Sequence, residues 1–106
     1  MADNLCTWDA STFTATAVYT GENRMVRVAG TGECPQSGFR VELVRGPVGI
    51  VPEPTRLSLR FKETPPEIGT PVITPETVDE LFEVSQEVTH VGIMGLGQLI
   101  EVSEPA

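Results

Sequence analysis

The sequence predicts an all-β fold, an antiparallel sandwich of two layers with about seven strands. In segment 56–62, Leu57, Leu59 and Phe61 alternate with polar or charged residues, as in a strand with one buried face. Such a strand needs a second layer to cover its apolar face. Ten glycines and nine prolines among 106 residues indicate many turns. Valine and threonine, both of which favour strands, are abundant.

The N-terminal part of the chain predicts a hairpin. Segment 12–19 alternates between threonine and mainly apolar residues, whereas residues 1–11 lack periodicity and are interpreted as an arm. A two-residue loop of Gly21 and Glu22 places glycine first, as a type II′ turn requires. The numbers of paired residues then sum to 43, which aligns the apolar faces of the two strands. Residues 12–106 are predicted to form one domain.

The middle of the chain predicts two further strands, at 39–44 and 56–62, separated by segments rich in glycine and proline. We interpret segment 30–38 as a turn-rich connection, segment 46–54 as a bulging loop and segment 63–71 as an extended crossing. None of these three segments is expected to continue a strand.

Two segments near the C-terminus complete the strand count. Segment 72–86 fits a helix, because Thr74 and Pro75 are typical of a helix start, but it also shows a period of two. We interpret it as a strand because the segments around it are strands. The final hairpin, with a two-residue loop of Gly95 and Leu96, pairs residues whose numbers sum to 191.

Six or seven strands at these intervals, in a chain of this length, resemble the immunoglobulin-like and fibronectin-like sandwiches. The resemblance is architectural and rests on the number and spacing of the strands. The sequence lacks the Cys…Trp…Cys spacing of true immunoglobulin domains, and no tyrosine corner can be placed. The resemblance therefore implies a type of fold and no particular family.

Charge is unevenly distributed along the chain, whose net charge is −8. Residues 24–62 hold all seven cations and three acids, whereas residues 63–106 hold nine acids and neither lysine nor arginine. A chain this acidic is a poor candidate for binding nucleic acid, because its overall field repels phosphates. Opposite charges could meet within the fold, or an arginine-bearing face could meet an anionic partner or the acidic face of another copy.

The sequence contains no pattern typical of a membrane or export signal. No apolar run approaches the roughly 20 residues of a membrane-spanning helix. The first residues have neither the basic nor the apolar region of a signal peptide. We expect a cytoplasmic protein or a mature domain restarted with Met, and no membrane partner.

Few side chains offer reactive chemistry. Cys6 and Cys34 have numbers that sum to 40, which places both near the open end of the first hairpin. A disulfide is geometrically plausible, and so are two free thiols in a reducing compartment. His90, the only histidine, opposes Glu101 in the predicted register and is interpreted as a surface pair. Without a nucleophile, calcium-loop or phosphate-loop signature, we expect no enzymatic activity, no metal and no cofactor.

These observations predict a non-catalytic interaction or structural module that acts through loops, an edge strand or self-association into a homo-oligomer. The expected partner is another protein or a second copy of this chain. The candidate partner-binding residues are the apolar Ile50 and Val51 of the 46–54 loop, Met94 and Leu96 at the tip of the final hairpin, and the outward-facing Arg40, Arg56 and Arg60. If the two strands that hold these arginines share a sheet, the arginines and Lys62 form a basic strip. The alternative hypothesis is a proteinase inhibitor that presents the 46–54 loop.

Overall fold

Every regular element in the computed structural model, which describes residues 5–46 and 54–105, is a β-strand. The strands are β1 Thr7–Thr20, β2 Asn23–Cys34, β3 Arg40–Arg45, β4 Arg56–Thr64, β5 Thr74–Val84, β6 His90–Met94 and β7 Leu99–Ser103. The predictions of an all-β protein and of seven strands are confirmed. β5 is a strand rather than a helix, and it pairs with β2 along its whole length.

The strands form one hydrogen-bonded sheet in the order β3-β4-β6-β7-β1-β2-β5. β4 pairs with β6 in parallel, and so does β1 with β7, so the expectation of a purely antiparallel fold is wrong. The reason is the path of β5. After β4 the chain crosses to the far edge of the sheet, beside β2, and then returns to β6, which therefore runs in the same direction as β4.

The sheet curls until its two edge strands, β3 and β5, lie against each other. Arg45 of β3 donates a hydrogen bond to the carbonyl oxygen of Glu83 in β5. The guanidinium carbon of Arg45 also lies 5.7 Å from the centroid of the Phe82 ring, within the range of a cation–π contact. We call this line of contact the seam. The fold is therefore a nearly closed, mixed sheet around one core.

The core lies inside the curled sheet and receives side chains from all seven strands. Trp8 stacks on Phe61 with ring centroids 4.5 Å apart, and Phe13 meets both rings edge-on. Aromatic pairs favour these stacked and edge-to-face arrangements. The buried residues of this core are Phe13, Ala15, Ala17, Val26, Val28, Leu43, Leu57, Leu59, Phe61, Val78, Val88, Val91, Ile93, Ile100 and Val102. The alternation in segment 56–62 therefore predicted the buried face of β4 correctly.

Two glycines on the inner face of β2 make room for two of the aromatic rings. A Cβ atom on Gly30 would lie 2.4 Å from the ring of Phe13, and one on Gly32 would lie 2.5 Å from the ring of Trp8. The interpretation of 30–38 as a turn-rich connection is wrong in its first half, because β2 continues through both glycines. They permit close packing of aromatic rings instead of a turn.

The register of β1 against β2 changes beside these rings. From Thr14 to Thr20 the numbers of paired residues sum to 43, as predicted, but between Thr7 and Asp9 they sum to 40. Cys6 and Cys34, whose numbers also sum to 40, therefore come face to face. Their Cα atoms are 4.2 Å apart, and they form a disulfide.

The start of the described chain belongs to the sheet. β1 begins at Thr7, so residues 7–11 are strand instead of the expected arm. The carboxylate of Glu63 in β4 accepts hydrogen bonds from the backbone N–H of Leu5 at 2.6 Å and from the indole N–H of Trp8 at 2.8 Å. One side chain thus tethers this segment to β4 through charge-assisted hydrogen bonds.

The predicted register is confirmed from Thr14 to Thr20 of the first hairpin and throughout the ladder of the last, but only one of the two predicted turns is confirmed. Gly21 has a φ of 63°. Glu22 has a negative φ, like every non-glycine residue in the described ranges, so glycine alone takes the positive φ that the first central position of a type II′ turn requires. The pairs of β6 and β7 sum to 191. Their ladder ends before the predicted two-residue loop, however, and the N–H of Leu96 bonds to the carbonyl of Ile93 at 3.0 Å. Gly95, with a φ of 90°, is third in that turn, which is typical of type II.

Candidate functional site

The outer face of β3 and β4 carries a row of cations. The two strands pair antiparallel, with Glu42 opposite Lys62, so their outward side chains share one face. The Nζ atom of Lys62 lies 3.6 Å from Oε1 of Glu42, an exposed ion pair worth less than about 1 kcal/mol. The basic strip consists of Arg40, Arg56, Arg60 and Lys62.

A groove of about 490 Å³ lies beside the basic strip, on the outer face of β4, β6 and β7. Its floor is Gly92, where a Cβ atom would lie 3.1 Å from Cδ of Arg56 and 3.2 Å from Cδ2 of Leu99. Met94 and Leu99 line the groove with 47% and 52% of their surface exposed. Because Gly92 has no side chain, Arg56 and Leu99 approach its backbone more closely than a Cβ atom would allow.

Arg60 connects the groove to the basic strip. In the parallel pairing of β4 with β6, it lies opposite Met94. The groove thus has Arg56 in its wall and Arg60 at its margin, with Ser58 between them on β4 and Met94 opposite Arg60. A polypeptide segment that carries an aliphatic side chain next to a carboxylate would meet a complementary surface here.

Leu96, another predicted contact residue, does not join this surface. Leu96 is half-buried and packs against the core, so it is not the exposed tip residue that was expected. The tight turn closed by its hydrogen bond to Ile93 places it there. Ile50 and Val51 lie outside the described residues, as does all of the 46–54 loop except its two ends. The inhibitor hypothesis therefore stays a prediction.

Sequence reasoning missed an exposed apolar segment at the end of the molecule that carries the disulfide. Residues 65–73 connect β4 to β5 and include Ile68, Val72 and Ile73, which are 94%, 56% and 68% exposed. We call this segment the projection. The sequence pattern that could have revealed this segment is three aliphatic residues in a proline-rich crossing, without the alternation that would bury them in a strand.

The projection is held by the loop that follows Cys34. The N–H of Ser37 donates to the carbonyl of Thr70 at 3.0 Å, and the N–H of Thr70 donates to Oγ of Ser37 at 3.2 Å. A Cβ atom on Gly69 would lie 2.7 Å from the carbonyl oxygen of Ser37, so the two backbones are closely packed. The aliphatic side chains of the projection are thus presented to solvent on an ordered backbone.

On the outer face of β2 and β5, two central charges, Arg27 and Asp79, pair with each other. Nε of Arg27 donates to Oδ1 of Asp79 at 2.8 Å, and Nη2 donates to Oδ2. The hydrogen bond from Arg27 lowers the pKa of Asp79, and the same bond raises the pKa of Arg27. This pair leaves little attraction for an anionic partner on that face.

A buried arginine organises the end of the molecule opposite the disulfide. Arg24, which is 4% exposed, donates to the carbonyl oxygens of Ser85 and Val88 at 2.9 Å and to Glu104 at 2.7 Å. Burial lowers the pKa of Arg24, but hydrogen bonds with Tyr19 and Glu104 raise it by more. The charged guanidinium therefore joins β2 to the turn before β6 and to the segment after β7.

His90 opposes Glu101, as predicted, and its Nδ1 lies 2.9 Å from Oγ1 of Thr89. Within residues 5–46 and 54–105, no three His, Cys, Asp or Glu side chains are placed to hold a metal ion. Nor does that part of the chain include a helix long and apolar enough to cross a membrane.

No protein-family model, curated protein or solved structure matches this chain. Its function has to be inferred from the chemistry of the groove, the basic strip and the projection.

Proposed function

We propose that this protein is a non-catalytic interaction domain that binds a polypeptide segment in the groove. The observation that carries the proposal is the exposure of Met94 and Leu99 in a concave site beside two arginines. Methionine and arginine are enriched at protein interfaces. Burial of the exposed half of these two apolar side chains would contribute about 2 kcal/mol together.

The construction of the groove supports recognition without chemistry. It lies on strands of one hydrogen-bonded sheet, so little conformational entropy is lost when a partner binds. Among the described residues that line it, the polar side chains are Arg56, Ser58 and Gln98. This set offers hydrogen bonds and a positive charge, whereas acid–base catalysis needs a titratable pair.

The partner that fits this lining is an extended segment with a large aliphatic side chain and a neighbouring carboxylate. The aliphatic group would pack against the exposed side chains of Met94 and Leu99. The carboxylate would accept hydrogen bonds from Arg56 or Arg60, and such charge-assisted bonds are roughly twice as strong as neutral ones.

The finer fold assignment also belongs to this proposal. We place the fold with immunoglobulin-like or fibronectin-like two-layer sandwiches, on the strength of seven strands around one core. β1, β2 and β5 would form one layer, and β3, β4 and β6 the other, with β7 hydrogen-bonded to both. An experimental structure in which β7 pairs with one neighbour alone would support separate layers. A backbone ladder between β3 and β5 would contradict them.

A library of random peptides displayed on phage tests the function. Panning against the immobilised protein should enrich peptides with a carboxylate next to a large aliphatic residue. The Kd of an enriched peptide should rise at least about tenfold for Leu99→Ser and for Arg60→Glu, because each change removes one part of the recognition. Mass spectrometry after prolonged incubation should recover the peptide intact.

The matched control is Leu81→Ser. Leu81 is 53% exposed, almost the same as Leu99, but it lies on β5, outside the groove. This variant should bind like the wild type, and circular dichroism should show the same thermal transition for all variants. Equal weakening by Leu99→Ser and Leu81→Ser would refute the groove as the site. Cleavage of the peptide would refute the non-catalytic assignment.

A further inference from the structure

The groove and the projection have complementary chemistry. The groove presents Met94 and Leu99 near arginines, whereas the projection presents Ile68 directly after the exposed Glu67. Single exposed apolar residues are common on protein surfaces, but three on one ordered connection mark an interaction surface.

We infer that the groove receives the projection of a second copy of this chain, with Ile68 seated between Met94 and Leu99. This inference rests on the proposed function, because it names the occupant of the groove. Glu67 would then lie within reach of Arg56 or Arg60.

The charge distribution favours a second copy as the occupant. The arginines of the groove belong to the segment 24–62, which holds every cation, and the projection belongs to the segment 63–106, which holds nine acids and no cation. Attraction between these surfaces acts over a few ångströms, whereas repulsion between distant charges is screened beyond about 8 Å at physiological salt. The net charge of −8 therefore does not prevent this contact.

The order of both surfaces also favours it. The backbone of the projection is fixed by the hydrogen bonds between Ser37 and Thr70, and the groove is fixed by its sheet. Neither partner has to fold on binding, so the entropy lost is mainly the translational and rotational entropy of the two molecules.

In the arrangement we propose, each copy offers its groove to one neighbour and its projection to another, so the contact is heterologous. Each copy that binds through its groove still has a free projection, so a third copy can add, and the assembly becomes a ring or an open filament. A dimer made groove against groove would instead be isologous and would stop at two copies. The two arrangements respond differently when variants are mixed.

Sedimentation velocity of the full chain, at increasing concentration, tests the inference with two variants. Ile68→Asp disables the projection, and Leu99→Asp disables the groove. The wild type should form species larger than a dimer, and each variant alone should associate about 10- to 100-fold more weakly. An equal mixture of the two variants should form a dimer and nothing larger, because it contains one intact groove and one intact projection per pair.

A charge exchange provides a second test that leaves β7 unchanged. Arg60→Glu and Glu67→Lys should each weaken association, and mixing the two variants should restore species larger than a dimer, because the groove of each variant then meets an oppositely charged projection of the other. Leu81→Asp, on the other outer face, is the matched control and should associate like the wild type.

Several outcomes would overturn the inference. They are a wild type that stays monomeric, a mixture that stays monomeric, and a dimer that persists in both single variants. An effect of Leu81→Asp equal to that of Leu99→Asp would overturn it as well. If the wild type is monomeric but library peptides still bind the groove, the second copy is the wrong occupant and the proposed function stands.

Discussion

Removal of the disulfide between Cys6 and Cys34 offers the most quantitative test of the fold described here. The change is the double substitution of both cysteines by alanine. Both side chains are buried, with 3% and 1% of their surface exposed, so neither alanine would introduce a new polar group into the packing around Trp8.

The expected loss follows from the length of chain that the bond closes. The two cysteines are 28 residues apart, and a cross-link of that span reduces the entropy of the unfolded chain by an amount worth about 3.5 kcal/mol. Domains of this size unfold with roughly 5–15 kcal/mol, so the loss is a large fraction of the total. At about 4–8 °C per kcal/mol, the melting temperature should fall by roughly 15–25 °C.

The assay is urea unfolding of the oxidised protein, the reduced protein and the alanine variant. Trp8 is the only tryptophan, and it stacks on Phe61 beside the disulfide, so its fluorescence reports the loss of that packing. Far-UV circular dichroism reports the whole sheet. The two signals should change together, and the slope of the unfolding free energy against urea should rise in the variant, whose unfolded chain is more open.

A loss below about 1 kcal/mol would refute the reasoning, because the bond would not then restrict the unfolded chain. A change in fluorescence without a change in circular dichroism would also refute it. That result would place the effect in local fraying of the first strand rather than in the unfolded state.

Three further predictions concern other contacts. Gly30→Ala should lower the free energy of unfolding in urea by about 1–3 kcal/mol, because the new Cβ atom would overlap the ring of Phe13. Arg45→Ala should speed hydrogen exchange at the backbone amides of β3 and β5, because the seam loses its side-chain contacts, while global stability changes by less than about 1 kcal/mol. Arg27→Gln should raise the pKa of Asp79 in an NMR titration. The folded-state pKa of Asp79 is lowered, so the contribution of this pair to stability is present above the unfolded pKa near 3.9 and is lost as pH falls through the folded value.

Each of these has a control and a contradicting result. Gly21→Ala meets no atom within 4 Å and is strained only by a φ of 63°, so it separates backbone strain from overlap. Unchanged stability of Gly30→Ala would contradict the packing of the ring on that glycine. Lys62→Ala, outside the seam, should leave exchange in β5 unchanged, and equal exchange for both variants would contradict the role of Arg45. An unchanged pKa of Asp79 would show that the pair with Arg27 does not form in solution.

Alternation and turn chemistry were sufficient to predict the local pairings of this fold. The register in which paired residue numbers sum to 43 followed from matching the apolar faces around Gly21. The register in which they sum to 191 followed from the same argument near the C-terminus. The register change could not be predicted, because it accompanies the packing of Phe13 and Trp8 over glycines that are distant in sequence. The parallel pairs could not be predicted either, since they depend on which edge of the sheet β5 joins.

The candidate site likewise has parts that the sequence predicts and parts that it does not. Outward positions for Arg56 and Arg60 followed from alternation along one strand. The groove required the pairing of β4 with β6, which joins residues more than thirty positions apart and has no local signal. Leu99 could have been placed opposite Gly92 from the predicted register alone, whereas the half-buried position of Leu96 depends on a turn type that the sequence left open.

The parallel pair of β1 and β7 determines how the molecule would respond to mechanical tension. The two strands are neighbours and point the same way, so the start of β1 and the end of β7 lie at opposite ends of the pair. A force that pulled these ends apart would load the bonds between the two strands simultaneously, in shear, instead of opening them one by one. The disulfide would meanwhile prevent the chain between Cys6 and Cys34 from being drawn out. Under stretching, the domain would therefore unfold only at a high force. Its extended length would be shorter than the number of residues allows, because the disulfide keeps part of the chain closed.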